Sequence, residues 1–284
     1  MINNEDVKVK DSASLPFIYG TAWKEDTAAN LTEEALSSGF FAIDTANQRK
    51  HYNEEAVGRG IQNYLKRSGK TRSDLFLQTK YTYPRGQDHR TPYDPDTSFS
   101  DQVRQSFDSS LKHLQTDYID SYLLHGPISA SGITGDDIEV WSAMESLYDQ
   151  KKALVLGVAN VSLPQLKMIF ERSRIKPAYV QNRCFAETGW DLDVRSYCES
   201  KRIMYQGFSL LTANMKAIFS EDVDNIAVRR SKTIPQIIFR FCHQSKIICL
   251  TGTSDLTHMK QDLDIFSFSL TGSEMDTILN CGMR

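Results

Sequence analysis

The sequence has few of the features that mark membrane, secreted or nucleic-acid-binding proteins. No apolar run is long enough to span a bilayer, and the polar start MINNEDVKVKDS is not followed by the hydrophobic segment of a signal peptide. The formal net charge is −3 over 284 residues and the basic residues are dispersed, so there is no bulk attraction to nucleic acid or to an anionic membrane. We therefore expect neither a nucleic acid nor a membrane as a partner.

Cysteine motifs and the common catalytic motifs are also lacking. The five cysteines show no CxxC spacing, so neither a metal site nor a disulfide framework is predicted, and a reducing, cytoplasmic location is expected. The chain contains no HExxH or GxSxG motif and no Gly-rich phosphate loop of the GxGxxG or Walker type. Any catalytic chemistry must therefore come from another arrangement of residues.

What the sequence does contain is a regular alternation of apolar strands and helices. The predicted strands span residues 16–19, 41–43, 75–80, 119–124, 153–159, 178–180, 202–208 and 246–250. Helices are predicted between them and after the last strand, with an extra helix at 273–279. Such alternation indicates a parallel sheet with right-handed crossovers, and eight units close into a (β/α)8 TIM barrel. We expect a single domain over residues 1–284, in which 1–14 form a loose arm.

Polar or aromatic residues stand at the ends of the predicted strands. In chain order they are Thr21, Asp44, Lys80, His125, Asn160, Gln181, Phe208 and Thr251. In a parallel barrel these ends open on one face, which carries the active site. Each residue alone has a structural explanation, such as a turn cap or a surface charge. Three ionisable groups at three successive strand ends are different, because apolar strands would bury them together and buried charges need partners.

The polar loop after Asp44 adds a phenol, Tyr52, to this set. Asp44 and Lys80 can pair, which would keep the lysine protonated and argues against a Schiff-base aldolase built on Lys80. A protonated lysine beside a phenol lowers the phenol pKa from its usual value of about 10 and makes it a proton donor near neutral pH. His125 could orient a carbonyl oxygen beside the phenol. This apparatus suits delivery of a proton to a carbonyl that receives hydride.

Four ordered motifs resemble the signatures of the aldo-keto reductases. They are DTANQRKHYNEEAVG from Asp44, the strand end Thr79-Lys80, DYIDSYLLHGP from Asp117, and GVAN ending at Asn160. The resemblance runs from about residue 15 to 279 and implies a TIM-barrel oxidoreductase that reduces an aldehyde or ketone with a nicotinamide cofactor and without a Rossmann domain. It also implies a catalytic set, which in this chain is Asp44, Tyr52, Lys80 and His125.

The position of the catalytic tyrosine departs from the common family pattern DTAxxYxNE. The loop is longer here, the residue two before Asn53 is His51, and Tyr52 lies directly before Asn53. A subset of the family carries a similar KHY sequence, and on that basis we assign the proton donor to Tyr52. His51 remains the rival candidate.

The resemblance also implies a cofactor site. Asn160 and Gln181 match the residues that bind the nicotinamide carboxamide, Phe208 takes the place of a stacking aromatic, and Ser209 and Leu211 begin a phosphate-binding loop. Thr21 at the first strand end completes this part of the set.

The adenosine end of the cofactor site departs from the family. Gly252 and Thr253 stand where a Lys-Ser pair is usual, His258 replaces an arginine and Asp262 an asparagine. The hydroxyls of Thr253 and Ser254, with the following helix N-terminus, could still bind a phosphate. The expected cofactor is NADP(H), with NAD(H) possible.

The substrate pocket is expected to have apolar walls from three aromatic residues in loops on the catalytic face. These are Trp23, Tyr81 and Trp190. The chain ends soon after the last helix, which favours an open site. We expect a small-molecule carbonyl substrate, no metal, and a monomer or weak homo-oligomer. A cofactor-binding regulatory subunit with little turnover, like the potassium-channel β subunits that resemble this family, is the alternative.

Overall fold

Eight parallel strands form a closed barrel, as the alternation of strands and helices predicts. The computed structural model describes Leu15 and residues 17–283, so the predicted N-terminal arm lies outside the described residues. The strands are β1 (Phe17–Gly20), β2 (Ala42–Asp44), β3 (Phe76–Tyr81), β4 (Ile119–Leu124), β5 (Ala153–Ala159), β6 (Tyr179–Arg183), β7 (Met204–Phe208) and β8 (Ile247–Thr251). Each strand pairs with the next in parallel, and β1 pairs with β8 to close the barrel. The predicted TIM barrel is confirmed.

Helices cover the outside of the barrel. They are α1 (Ala28–Ser38), α2 (Glu54–Ser68), α3 (Phe99–Leu114), α4 (Gly135–Asp149), α5 (Leu163–Arg172), α6 (Leu192–Lys201), α7 (Met215–Ile218), α8 (Glu221–Arg230), α9 (Ile234–Gln244), α10 (Leu256–Leu263) and α11 (Gly272–Leu279). The pair α7 and α8 was not predicted. Helix α8 buries only Val223, Ile226 and Ala227 among many charged residues, so its apolar periodicity is weak. None of the helices in the described part of the chain is long and apolar enough to cross a membrane.

Alternation of side chains along each strand divides the apolar core into two parts. Residues such as Ile18, Phe76 and Ile248 fill the inside of the barrel, whereas Leu77 and Tyr81 belong to the larger layer beneath the helices. Successive side chains of a strand point to opposite faces. Because Phe76 faces inward, the residues two and four positions later in β3 also face inward, and Tyr81 faces outward.

The loop before α2 is held by local hydrogen bonds. The side chain of Asn53 accepts a hydrogen bond from Ala56 N at 3.0 Å and caps α2. The backbone nitrogens of His51 and Tyr52 both donate to the carbonyl oxygen of Gln48 at 3.0 Å. These contacts place the two candidate proton donors side by side at the C-terminal face of the barrel.

Candidate active site

A buried ion pair joins the ends of β2 and β3. Lys80 Nζ lies 2.7 Å from each carboxylate oxygen of Asp44 and 2.8 Å from the carbonyl oxygen of Thr45. Lys80 is fully buried and Asp44 is 3 % exposed. Burial lowers the pKa of Lys80, against the opposing influence of Asp44. The three acceptors match the three hydrogens of an ammonium group, an arrangement that leaves no lone pair for nucleophilic attack.

Three buried glutamine side chains form a hydrogen-bonded cluster with the carboxylate of Asp44 inside the barrel. Asp44 Oδ1 also accepts hydrogen bonds from Gln78 Nε2 at 2.7 Å and Gln181 Nε2 at 3.0 Å. Gln206 Oε1 accepts from the same two amides at 2.8 and 2.9 Å, and Gln206 Nε2 donates to Gln78 Oε1 at 3.0 Å. Gln78 and Gln206 were not predicted as site residues. Their signal in the sequence is spacing, because each lies two residues before a predicted site residue and therefore on the same strand face.

Tyr52 packs against this buried pair. Lys80 Nζ lies 5.4 Å from the centre of the Tyr52 ring, and the ring of His125 is 6.1 Å away at an interplanar angle of 69°. Burial and the carboxylate of Asp44 raise the pKa of Tyr52 well above its ordinary value. The sequence predicted the opposite direction, because the cation of Lys80 was weighed without the desolvation of the phenol and without the repulsion between Asp44 and a phenolate. Tyr52 therefore keeps its proton throughout the neutral pH range.

His51, the rival candidate, has different neighbours. Its ring packs against Trp23 with centroids 4.0 Å apart and the planes tilted by 38°, and its Nδ1 lies 2.9 Å from Gln48 Oε1. Burial lowers the pKa of His51. The ring contacts of His51 are thus with loop residues at the mouth of the cleft, whereas Tyr52 contacts Lys80 and His125.

His125 follows β4 and is held from both sides. Its Nδ1 lies 2.7 Å from Thr82 Oγ1, and its carbonyl oxygen accepts a hydrogen bond from Asn160 Nδ2 at 2.8 Å. Burial, with the nearby charge of Lys80, lowers the pKa of His125 to about 3. The imidazole is therefore neutral at physiological pH and can act as a hydrogen-bond donor or acceptor.

A cleft of about 1330 Å³ crosses the C-terminal face of the barrel. Most of the predicted site residues line it, namely Trp23, Asp44, Tyr52, His125, Asn160, Gln181, Phe208, Ser209, Leu211, Thr253, His258 and Asp262. Its volume exceeds the usual upper range of about 1,000 Å³ for drug-sized ligands. The cleft therefore has room for a dinucleotide and a small substrate together.

Two predicted pocket walls are corrected by the structure. Tyr81 is fully buried beneath the helices, where its hydroxyl donates to Gln102 Oε1 at 3.0 Å. The reason is strand alternation, since Lys80 faces into the barrel and its neighbour must face out. Trp190 is also fully buried, and its Nε1 donates to the carbonyl oxygen of Ile278 at 3.2 Å. Only Trp23 of the three aromatic residues lines the cleft.

Two predicted cofactor residues also lie outside the cleft lining. Thr21 is 1 % exposed, and its hydroxyl donates to the carbonyl oxygen of Asp44 at 3.0 Å. Thr21 therefore stabilises the β1–β2 junction beside the ion pair. Ser254 is exposed and does not line the cleft.

Two carboxylates lie in the segment after β8 that was predicted to hold the adenosine end of the cofactor, and of the two Asp262 lines the cleft. Asp255 caps α10, accepting hydrogen bonds from the backbone nitrogens of Thr257 at 2.7 Å and His258 at 3.0 Å. These amides are thus already paired with an anion, against the expectation that they would receive a phosphate. Asp262 accepts a hydrogen bond from Thr251 Oγ1 at 2.8 Å, and burial raises its pKa to about 7.

Thr82 and Lys24 are among the polar residues that line the cleft without having been predicted. Thr82 follows β3 and contacts His125. Lys24 reaches across from the loop after β1, and its Nζ donates to the carbonyl oxygen of Gly252 after β8. Their signal in the sequence is adjacency, because Thr82 directly follows Tyr81 and Lys24 directly follows Trp23, which were both predicted as site residues.

Comparison with known proteins places this geometry in a family. The model of the aldo/keto reductase family matches residues 16–215. The glyoxal reductase of Bacillus subtilis is 29 % identical over 279 residues, covering 96 % of this chain and 91 % of that protein. The NADPH-dependent alpha-keto amide reductase of Saccharomyces cerevisiae is 27 % identical, covering 93 % and 85 %.

Solved structures agree in fold. An aldo/keto reductase from Brucella melitensis superposes with a TM-score of 0.80 at 28 % identity, covering 96 % of this chain and 98 % of that one. MGS-M4, an aldo-keto reductase from a deep-sea metagenome library, has a TM-score of 0.82 at 26 % identity, covering 97 % and 95 %. With the family model matching more than half of the chain, the protein belongs to the aldo/keto reductase family and is an oxidoreductase.

Proposed function

We propose that the protein reduces an aldehyde or ketone to an alcohol by hydride transfer from NAD(P)H, with Tyr52 as the general acid. One observation carries this proposal: the Tyr52 ring lies 5.4 Å from the Lys80 ammonium and 6.1 Å from the His125 ring, on the wall of a dinucleotide-sized cleft. A protonated phenol and a neutral imidazole suit a carbonyl oxygen on which negative charge develops.

The residues at the nicotinamide end fit such a cofactor. Both hydrogens of Gln181 Nε2 are used by Asp44 and Gln206, so the Oε1 of Gln181 is left as an acceptor for the carboxamide NH2. Phe208 lines the same part of the cleft and offers a face for stacking. When bound, the cofactor supplies the hydride.

Tyr52 donates the proton, and Lys80 stabilises the phenolate that forms. The raised pKa of Tyr52 keeps its hydroxyl protonated until an alkoxide, a much stronger base, is present to accept the proton. Lys80, fixed by Asp44, provides the nearby positive charge that stabilises the phenolate left behind. Because the pair is buried, its field at the ring is screened less than that of a surface charge.

We propose NADP(H) as the cofactor, with NAD(H) also accepted. The yeast relative is named as NADPH-dependent, which supports the first part. At the adenosine end, His258 stands where the family has an arginine, and the carboxylates of Asp255 and Asp262 oppose a 2′-phosphate. We therefore expect a weaker preference for NADPH than two fixed cations would give. The cytoplasmic location and the monomeric or weakly oligomeric state remain predictions.

Oxidation of NADPH and NADH by a panel of aldehydes and ketones tests the proposal, with Tyr52→Phe and His51→Phe as a matched pair. We expect Tyr52→Phe to lose most turnover while still quenching cofactor fluorescence, and His51→Phe to keep its turnover. The opposite result would transfer the role to His51. Tight cofactor binding by the wild-type protein without turnover of any carbonyl would support the regulatory alternative.

A further inference from the structure

The hydroxyl of Thr82 contacts one of the two ring nitrogens of His125. Thr82 follows β3, is 6 % exposed, and places Oγ1 at 2.7 Å from His125 Nδ1. Among the described residues, the other ring nitrogen, Nε2, has no hydrogen-bond partner, and His125 lines the cleft beside Tyr52. The contact with Thr82 therefore bears on what Nε2 offers to a bound carbonyl.

The side chain of Thr82 is held in this orientation by its surroundings. Its methyl group packs against Gly86 so closely that a Cβ on that residue would lie 2.7 Å from Thr82 Cγ2. Its carbonyl oxygen accepts a hydrogen bond from the hydroxyl of Tyr93 at 2.5 Å. With the methyl group confined, Oγ1 is directed at the imidazole.

The number of protons on the imidazole ring decides whether Thr82 Oγ1 or His125 Nδ1 donates this hydrogen bond. The low pKa of His125 leaves the ring with one proton. If that proton were on Nδ1 and pointed to Thr82, the Thr82 hydroxyl hydrogen would need another acceptor, and none of the described residues provides one. A buried donor without a partner costs about 1–3 kcal/mol. The favourable arrangement has Thr82 donating to Nδ1.

We propose that Thr82 is a positioning residue that holds the single proton of the His125 ring on Nε2, where it faces the cleft. This inference rests on the proposed function. With the proton there, the Nε2–H of His125 and the O–H of Tyr52 both point at the carbonyl oxygen. In the other tautomer a nitrogen lone pair would face that oxygen and repel it.

The tautomer can be observed directly by long-range 1H–15N NMR of the imidazole rings at pH 7. His125 is assigned among the six histidines by its loss in His125→Asn. We expect the wild-type protein and Thr82→Ser to show the Nε2–H form with a hydrogen-bonded Nδ1. Thr82→Val, which has almost the same shape but no hydroxyl, should show a mixture of tautomers. A wild-type ring protonated on Nδ1 would overturn the proposal, whether or not the protein turns over a carbonyl.

Turnover provides the second measurement. We expect Thr82→Val to lower kcat about tenfold, less than the 10²–10³-fold loss typical for complete removal of an oxyanion donor. Thr82→Ser should stay within about threefold of the wild type, and cofactor affinity should be the same in all three proteins. Equal losses of kcat in Thr82→Val and Thr82→Ser, or a wild-type kcat in Thr82→Val, would overturn the positioning role. If the wild-type protein shows the expected tautomer but turns over no carbonyl, the result counts instead against the proposed function.

Discussion

Gln206 Oε1 accepts a hydrogen bond from Gln181 Nε2 at 2.9 Å, and this contact fixes which end of the Gln181 amide faces the cleft. Gln206 itself is fully buried and also exchanges two hydrogen bonds with Gln78. The acceptor that Gln181 presents to the cleft is therefore oriented by a residue that does not line the cleft.

Gln206→Met should weaken cofactor binding without removing any group that touches the cofactor. The change leaves the amides of Gln78 and Gln181 short of buried partners, and we expect the free energy of unfolding to fall by about 1–3 kcal/mol. Fluorescence titration with NADPH and urea denaturation measure the two effects. Unchanged cofactor affinity would show that Asp44 alone orients Gln181.

Asp44→Asn should destabilise the protein strongly. It leaves the fully buried Lys80 without its counter-charge, and loss of one partner of a buried pair costs about 3–5 kcal/mol. As a matched control, Asp101→Asn removes the acid of an exposed pair with Arg104 and should leave the unfolding free energy nearly unchanged.

The double variant Asp44→Asn/Lys80→Met separates stability from catalysis. Removing both charges together eliminates the uncompensated ammonium, so most of the lost stability should return in denaturant unfolding. Turnover should stay low, because Tyr52 has lost its neighbouring cation. Recovery of turnover together with stability would mean that the pair serves only the fold.

The rate of carbonyl reduction should be insensitive to pH across the neutral range. Tyr52 must be protonated to act as an acid, and its raised pKa keeps it so beyond its ordinary value of about 10. His125, with a pKa of about 3, adds no titration between about pH 5 and 9. We expect a flat kcat over this range at saturating cofactor. A break near pH 7 or 8 that is also present in Asp262→Asn would show that Lys80 lowers the Tyr52 pKa during turnover, since the carboxyl of Asp262 itself has a pKa of about 7.

Asp262→Asn should stabilise the protein at neutral and alkaline pH. Burial raises the pKa of Asp262 from 3.8 to about 7, so between these values the folded state holds a proton that the unfolded state has released. Stability therefore falls as pH rises through that window and stays low above it. The difference between variant and wild type should grow from near zero at about pH 4 to about 2–4 kcal/mol at about pH 8.

Asp255→Asn is the control for this effect. Backbone hydrogen bonds from His258 and Thr257 lower the pKa of Asp255, and asparagine is an equally good helix cap. Its substitution should change stability little and in the opposite direction. If both variants follow the same pH profile, the buried carboxylate of Asp262 is not the cause.

Asp262→Asn should also tighten NADPH binding more than NADH binding, because a negative charge near the 2′-phosphate is removed.

The sequence by itself determined the barrel and most of the catalytic face. Apolar strands that end on Asp44, Lys80 and His125 predict both the topology and a common face, because parallel strands of a closed barrel point their ends the same way. The neighbouring pair Asp44–Lys80 also followed from the sequence, since two buried opposite charges on adjacent strands require each other. These features depend on local pattern and strand order.

Only the tertiary structure decided which partners the catalytic groups have and in which direction their pKa values shift. Gln78 and Gln206 are 128 residues apart and meet only because the barrel closes. The direction of the Tyr52 pKa depends on desolvation, which no local pattern reports. Trp190 donates a hydrogen bond to Ile278, 88 residues later in the chain, and Thr82 contacts His125 because β3 and β4 are neighbours in the barrel. Contacts across the barrel and the local dielectric are properties of the packed fold, so they set the chemistry of residues that the sequence had already brought to the same face.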